Sequence, residues 1–202
     1  MDELSERTVG ADPFEEVAAW YAEARAVHGD DADAMVVASA DATGAPSARV
    51  VLLRGLDERG FCFFTSYDSR KGRELTENPR GAIVLHWPSL RRQVRATGAV
   101  ERVSDAESDA YWQRRPVASR FSAWASRQSR PVDSRADLEA AAAAAEDRLA
   151  GTDVERPDFW GGFRLVPDTI ELWLHRDDRL HDRVQYQRAG RTAPWTITRL
   201  QP

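Results

Sequence analysis

Cysteine is almost missing from this chain: Cys62 is the only one in 202 residues. That excludes an internal disulfide framework and a multi-thiolate metal site. Long apolar runs are missing too, and nothing approaches the roughly 18 residues of a membrane span. Residues 1–10 are acidic and lack the apolar stretch of a secretory signal. The expected location is therefore a reducing cytoplasm, with no membrane partner. Lysine is equally scarce, Lys71 being the only one among 28 basic residues. No Gly-x-Gly-x-x-Gly follows a strand, and neither a Walker-type loop nor a Gly-x-Ser-x-Gly elbow is present. His28, His86, His175 and His181 do not have metal-ligand spacing, so no metal is expected.

What is present suits one globular domain. A chain of this length buries about 70% of its unfolded surface, and 42% of its residues are apolar. The net charge is −5, but residues 49–130 carry 16 basic against 9 acidic groups. A basic middle in an acidic protein points to a local anion site rather than to nucleic acid.

Asp12-Pro13 reads as a helix start, and Phe14, Val17, Ala18 and Tyr21 follow with helical spacing. Strands are expected at 35–40, 49–53 and 61–65, separated by turn chemistry, as an antiparallel meander. A short helix at 69–78 has Ser69 as its N-cap. Strands at 82–87 and 93–103, helices at 105–114 and 119–127, and an Ala-rich helix at 134–150 follow. The C-terminal strands are expected at 163–166, 169–174, 184–188 and 195–200. The fold class is mainly β, a small barrel with peripheral helices. Residues 1–11 form a short tail and residues 12–202 the single domain.

Four groups could carry chemistry. Arg70-Lys71 occupies the first turn of the short helix, where free amide N–H groups and two cations can cradle a phosphate; such a pair can equally be a solvated face. Arg49 and Arg54 flank the apolar run Val50–Leu53, pointing into a pocket or snorkelling to water. Tyr111 and Arg115, spaced i,i+4, would share a helix face near Ser119, as a phosphate site or as a polar helix surface. In Arg179-Leu180-His181-Asp182-Arg183, an extended backbone puts Arg179, His181 and Arg183 on one face. With Trp173 nearby, that face suits a flat anionic ligand or is an exposed charged strand.

In order and spacing, RVVLLR (49–54), SRKGREL (69–75), RRQV (91–94), RRPVAS (114–119), ASRQS (125–129), FWGGFR (159–164) and RLHDR (179–183) resemble the pyridoxine/pyridoxamine 5′-phosphate oxidase family. The resemblance runs from about Asp12 to Pro202. It implies an FMN-binding split β-barrel that is homodimeric, with FMN at the subunit interface. FMN contacts carried over by motif are Arg49, Val50, Val51, Leu52, Leu53, Arg54, Phe64, Thr65, Arg70, Lys71, Gln93, Gln128, Ser129, Trp173 and Arg183. Substrate phosphate contacts are Arg54, Tyr111, Arg115 and Ser119. Arg179 and His181 lie over the pyridine ring and are the catalytic pair. The implied reaction is oxidation of pyridoxine or pyridoxamine 5′-phosphate to pyridoxal 5′-phosphate, with O2 reduced to hydrogen peroxide. The alternative is a related FMN oxidase acting on another small aromatic substrate, such as a dihydrophenazine. Arg54 stands where the family usually has Lys. The family's N-terminal Arg-x-x-Tyr pattern has no counterpart before Asp12. Both departures touch the substrate side.

Overall fold

The computed structural model describes residues 3–202; the first two residues of the tail, Met1 and Asp2, lie outside them. Helix α1 (Pro13–His28) starts where Asp12 Oδ1 accepts the Phe14 N–H at 2.9 Å, and it ends on Gly29 at a positive φ of 58°. It buries Phe14, Val17, Trp20 and Ala24. The inward stripe thus runs through Trp20, and Ala18 is exposed. A 3-10 turn (Gly29–Asp33) leads into β1 (Ala34–Ala40), β2 (Pro46–Leu52), β3 (Gly55–Asp57) and β4 (Gly60–Ser66). Helix α2 (Arg70–Glu77) is capped by Ser69, whose Oγ accepts the Gly72 N–H at 3.2 Å. Then come β5 (Arg80–Trp87), β6 (Arg92–Arg102), α3 (Asp105–Arg114), α4 (Val117–Ala125), α5 (Arg135–Leu149), β7 (Trp160–Leu174), β8 (Asp182–Gln187) and β9 (Thr196–Arg199).

All pairings are antiparallel, in the order β2-β1-β5-β6-β7-β4-β3, with β8 between β7 and β9. Where two C-terminal strands (163–166 and 169–174) were expected, β7 is a single strand of 15 residues. Its first half pairs with β4 and its second half with β8, while β6 runs along its other edge. Pro167, which has no N–H to give, sits where β7 changes partner. The register against β6 slips there, between Thr97 and Gly98. A Cβ on Gly98 would fall 2.0 Å from the Val166 carbonyl, so the bulge needs glycine. This shared strand splits the barrel into two halves. The core between them holds Met35, Phe61, Phe63, Leu85, Phe163, Leu165, Ile170 and Tyr186.

The tail packs on the C-terminal strands. Leu4 is buried, and Tyr186 Oη donates to the Gly10 carbonyl at 2.9 Å.

The run Val50–Leu53 is not buried as a whole. On β2, an edge strand, Val50 is 64% and Leu52 45% exposed, while Leu53 just beyond it is buried. Cross-strand partners share a face, so these side chains join Ala34, Val36, Ala38 and Ala40 of β1 and Ala82 and Val84 of β5. The same face then turns polar at Arg95 and Gln93 of β6 and Glu171 of β7, with Trp173 beside Gln93. Among the described residues no helix is long and apolar enough to cross a membrane.

Candidate functional site

The expected site residues fall into two groups. The first gathers at the end of β4 and the start of α2. Lys71 is buried, with Nζ 3.1 Å from Thr65 Oγ1 and 3.2 Å from Gln128 Oε1, and Thr65 donates to Gln128 at 2.8 Å. Gly72 lets α2 sit this close to the preceding turn, since a Cβ there would lie 2.2 Å from the Tyr67 carbonyl. No carboxylate pairs with Lys71 among the described residues. Burial and the neighbouring Arg49 charge pull its ammonium down to about 8.

Glu74, one turn along α2, holds two of the expected cations. It accepts from Arg70 Nε at 2.7 Å, Arg49 Nη2 at 3.3 Å, Ser39 Oγ at 2.6 Å and Ser47 Oγ. Burial pushes this carboxyl up, but the four donors outweigh it and hold it at about 2. Its contribution to stability is therefore present above the unfolded glutamate pKa of about 4.3 and is lost as pH falls towards 2. Between pH 5 and pH 2 the wild type should lose on the order of 2 kcal/mol more unfolding free energy than Glu74→Gln. Urea titrations at both pH values measure this, and equal losses would refute the assignment.

Beside this group lies a cleft of about 330 Å³ lined by Phe64, Thr65, Arg115, Ser119, Gln128 and Trp160 among others. Arg115 and Tyr111 do not share a helix face as expected, because α3 stops at Arg114 and Arg115 is its extended C-cap. An aromatic stack brings them together instead. Tyr111 lies 4.0 Å from Phe64 and 6.1 Å from Trp160, and the Arg115 guanidinium sits 4.8 Å over Trp160. Arg115 Nη2 donates to the Ser119 carbonyl at 2.9 Å, leaving the Ser119 hydroxyl uncommitted by that contact, while its buried Nε has no hydrogen-bond partner among the described residues. Burial lowers the Arg115 pKa against the opposing pull of the Tyr111 hydroxyl, and the Arg54 and Arg120 charges add to the lowering. Arg54 is ion-paired to buried Asp33. Ser129 follows Gln128 with a positive φ of 70°.

The second group spans three strands. Gln93 of β6, Trp173 of β7 and Arg183 of β8 are direct cross-strand neighbours. Arg183 is held by Glu171 through Nε at 2.8 Å and Nη2 at 3.1 Å. The His181 ring lies 4.7 Å from Trp173 and 4.9 Å from His175. The single strand face expected for Arg179, His181 and Arg183 does not form. Strand β8 begins at Asp182, and Arg179 occupies an exposed bend with φ 65°. His181 Nδ1 accepts the Arg176 N–H at 3.0 Å, so the neutral ring carries its hydrogen on Nε2.

No hydrogen bond, ion pair or ring contact joins the two groups among the described residues. Three participants were not anticipated. Glu74 had a signal, the i,i+4 spacing from Arg70. Asp33 had none, because sequence distance hides its contacts, and Trp160 was marked only by its place in the FWGGFR run. No cluster of His, Cys, Asp and Glu suited to a metal occurs among the described residues.

Residues 21–148 match the family described as pyridoxamine 5′-phosphate oxidase, and residues 160–202 match the pyridoxine 5′-phosphate oxidase C-terminal dimerisation region. The chain belongs to the pyridoxamine 5′-phosphate oxidase family. Within this family it is similar to a pyridoxine/pyridoxamine 5′-phosphate oxidase of Burkholderia orbicola (strain MC0-3), 49% identical over 200 residues, covering 98% of this chain and 93% of that one. A pyridoxine/pyridoxamine 5′-phosphate oxidase of Azorhizobium caulinodans is 50% identical over 195 residues, covering 96% and 92%. Among solved structures, PhzG from Burkholderia lata 383, in complex with tetrahydrophenazine-1-carboxylic acid, superposes with a TM-score of 0.91 at 33% identity, covering 100% of this chain and 99% of that one. A pyridoxamine 5′-phosphate oxidase-related, FMN-binding protein of Nostoc punctiforme shares the fold, with a TM-score of 0.76 at 18% identity. The expected split barrel with peripheral helices is thus the fold of this family, and the chain is an oxidoreductase of it.

Proposed function

We propose that this protein is an FMN-dependent oxidase that converts pyridoxine or pyridoxamine 5′-phosphate to pyridoxal 5′-phosphate, with O2 reduced to hydrogen peroxide. The observation that carries this reading is a pair of cations that no carboxylate pairs with among the described residues, buried Lys71 and half-buried Arg115, the latter with an orphaned, buried Nε. A buried, unpaired charge is costly, and a dianionic phosphate offsets that cost. Two such cations fit two phosphates, one from the cofactor and one from the substrate.

On this reading Lys71, Thr65, Gln128 and Ser129 hold the FMN phosphate, with Arg49 and Arg70 shared between it and Glu74. FMN, when bound, supplies the hydride acceptor. Tyr111, Arg115, Ser119 and Arg54 anchor the substrate phosphate. Arg179 and His181 clamp the pyridine ring, with the His181 Nε2–H presented as a donor. Gln93, Trp173 and Arg183 approach FMN from a second copy of the chain. A homodimer is supported by the separation of the two groups within one chain, by the aliphatic outer face around Val50, and by the matched dimerisation region. Orientation from both subunits holds the substrate against the flavin.

The second reading is an FMN oxidase of another small aromatic substrate, such as a dihydrophenazine. The full-length likeness to PhzG favours it, whereas an anchor built from Tyr111, Arg115 and Ser119 favours a phosphorylated substrate. Aerobic turnover of the FMN-loaded protein with pyridoxamine 5′-phosphate separates them. Equal amounts of pyridoxal 5′-phosphate and peroxide are expected over many cycles. Bound FMN with neither product would overturn the first reading in favour of the second.

A further inference from the structure

Asp33 ends the 3-10 turn before β1 and is only 3% exposed. Its backbone carbonyl accepts the Leu53 N–H at 2.8 Å, and the next residue, Arg54, donates its own N–H to the Cys62 carbonyl at 2.8 Å. The two backbones are thereby tied side by side. Asp33 Oδ1 accepts from Tyr21 Oη at 2.7 Å and from Arg25 Nη1 at 2.8 Å. Its other oxygen takes Arg54 Nη1. Among the described residues the Arg54 guanidinium makes no other hydrogen bond, and its side chain keeps 29% of its exposure. One corner of a planar fork is therefore fixed and its remaining N–H donors are unspent. An ammonium at this position would need no such orientation, because its three donors rotate; a guanidinium does. A guanidinium held in advance also loses less side-chain entropy when an anion arrives.

We propose that Asp33 is a positioning residue that orients Arg54 towards the substrate phosphate and so sets the preference for phosphorylated over unphosphorylated substrate. This rests on the functional reading above. Arg25 and Tyr21 hold the far oxygen of Asp33 and serve the carboxylate rather than the substrate.

The test is steady-state kinetics of the FMN-loaded enzyme with pyridoxamine 5′-phosphate, with pyridoxamine as a competing ligand, for Asp33→Asn, Arg54→Ala, the double variant and Arg25→Ala. Arg54→Ala should raise KM for the phosphorylated substrate about tenfold, and Asp33→Asn about fivefold, with kcat held within about twofold. The double variant should match Arg54→Ala alone, because the effect of Asp33 passes through Arg54. Arg25→Ala loosens only one tether of Asp33 and leaves Tyr21 in place, so it should raise KM less than Asp33→Asn does, and the affinity for pyridoxamine should not move in any variant. An unchanged KM in Asp33→Asn, the full Asp33 effect persisting on top of Arg54→Ala, or an equal loss for pyridoxamine would each overturn the proposal. If the wild type turns over no phosphorylated substrate, the functional reading fails instead. Inorganic phosphate binding, followed by tryptophan fluorescence, then tests the same coupling. A wild type that binds no phosphate overturns the proposal as well.

Discussion

Arg115→Met should raise KM for pyridoxamine 5′-phosphate about 100-fold, with a much smaller fall in kcat and full retention of FMN. Truncating one partner of a buried charge pair costs about 2–5 kcal/mol, and about 2.7 kcal/mol corresponds to 100-fold. The folded protein should tolerate the change. The guanidinium is already short of partners at Nε, and methionine keeps an apolar side chain over Trp160. Steady-state kinetics and flavin absorbance after gel filtration read the two quantities separately. Loss of FMN together with substrate binding would show that Arg115 serves the cofactor and would collapse the division into two phosphate sites.

Lys71→Met should weaken FMN binding by about 100-fold or more while leaving the apo-protein as stable as before or more so, since it removes a buried ammonium that no carboxylate pairs with directly among the described residues and that Glu74 offsets only from a distance. Lys71→Arg should not rescue it. Thr65 and Gln128 close on Nζ at 3.1 and 3.2 Å, a space shaped for a compact ammonium and not for a planar fork. The wild-type affinity should also depend on pH. The free ammonium titrates at about 8, and a phosphate beside it raises that value. Binding is therefore at full strength below pH 8 and weakens as pH rises above it, by up to about tenfold per unit. Fluorescence titration of FMN at pH 7 and pH 9.5 measures this. A slope that survives in Lys71→Met would assign the titration to another group.

Much of this arrangement was legible in the sequence because it is local. Ser69 ahead of the short helix gives the cap that sets Lys71 on the first turn of α2, and Asp12-Pro13 gives the start of α1. What was hidden is what depends on contacts distant in sequence. Pro167 looks like a strand break, and only the two different neighbours of β7 explain how a single strand runs through it. Arg115 looks helical by spacing, yet Pro116 ends α3 before it, and its place is set by Trp160, 45 residues downstream. The sequence pattern predicts an extended Arg179, whereas its backbone is left-handed, with φ 65°. By sequence alone Arg49, Arg54 and Arg70 are available cations. Each already has a carboxylate, Glu74 or Asp33, and only Glu74 lies within a helical turn of an arginine it holds.

The outward aliphatic side chains of β2 carry a consequence of another kind. A lone protomer keeps Val50 and Leu52 in water on an edge strand whose outer N–H and C=O groups have no neighbour in the sheet among the described residues. Such an edge is a template for any strand that meets it. Whatever covers this face adds a concentration-dependent increment to stability. A melting temperature of this protein is then incomplete without the protein concentration at which it was recorded, and dilution becomes a denaturant in its own right.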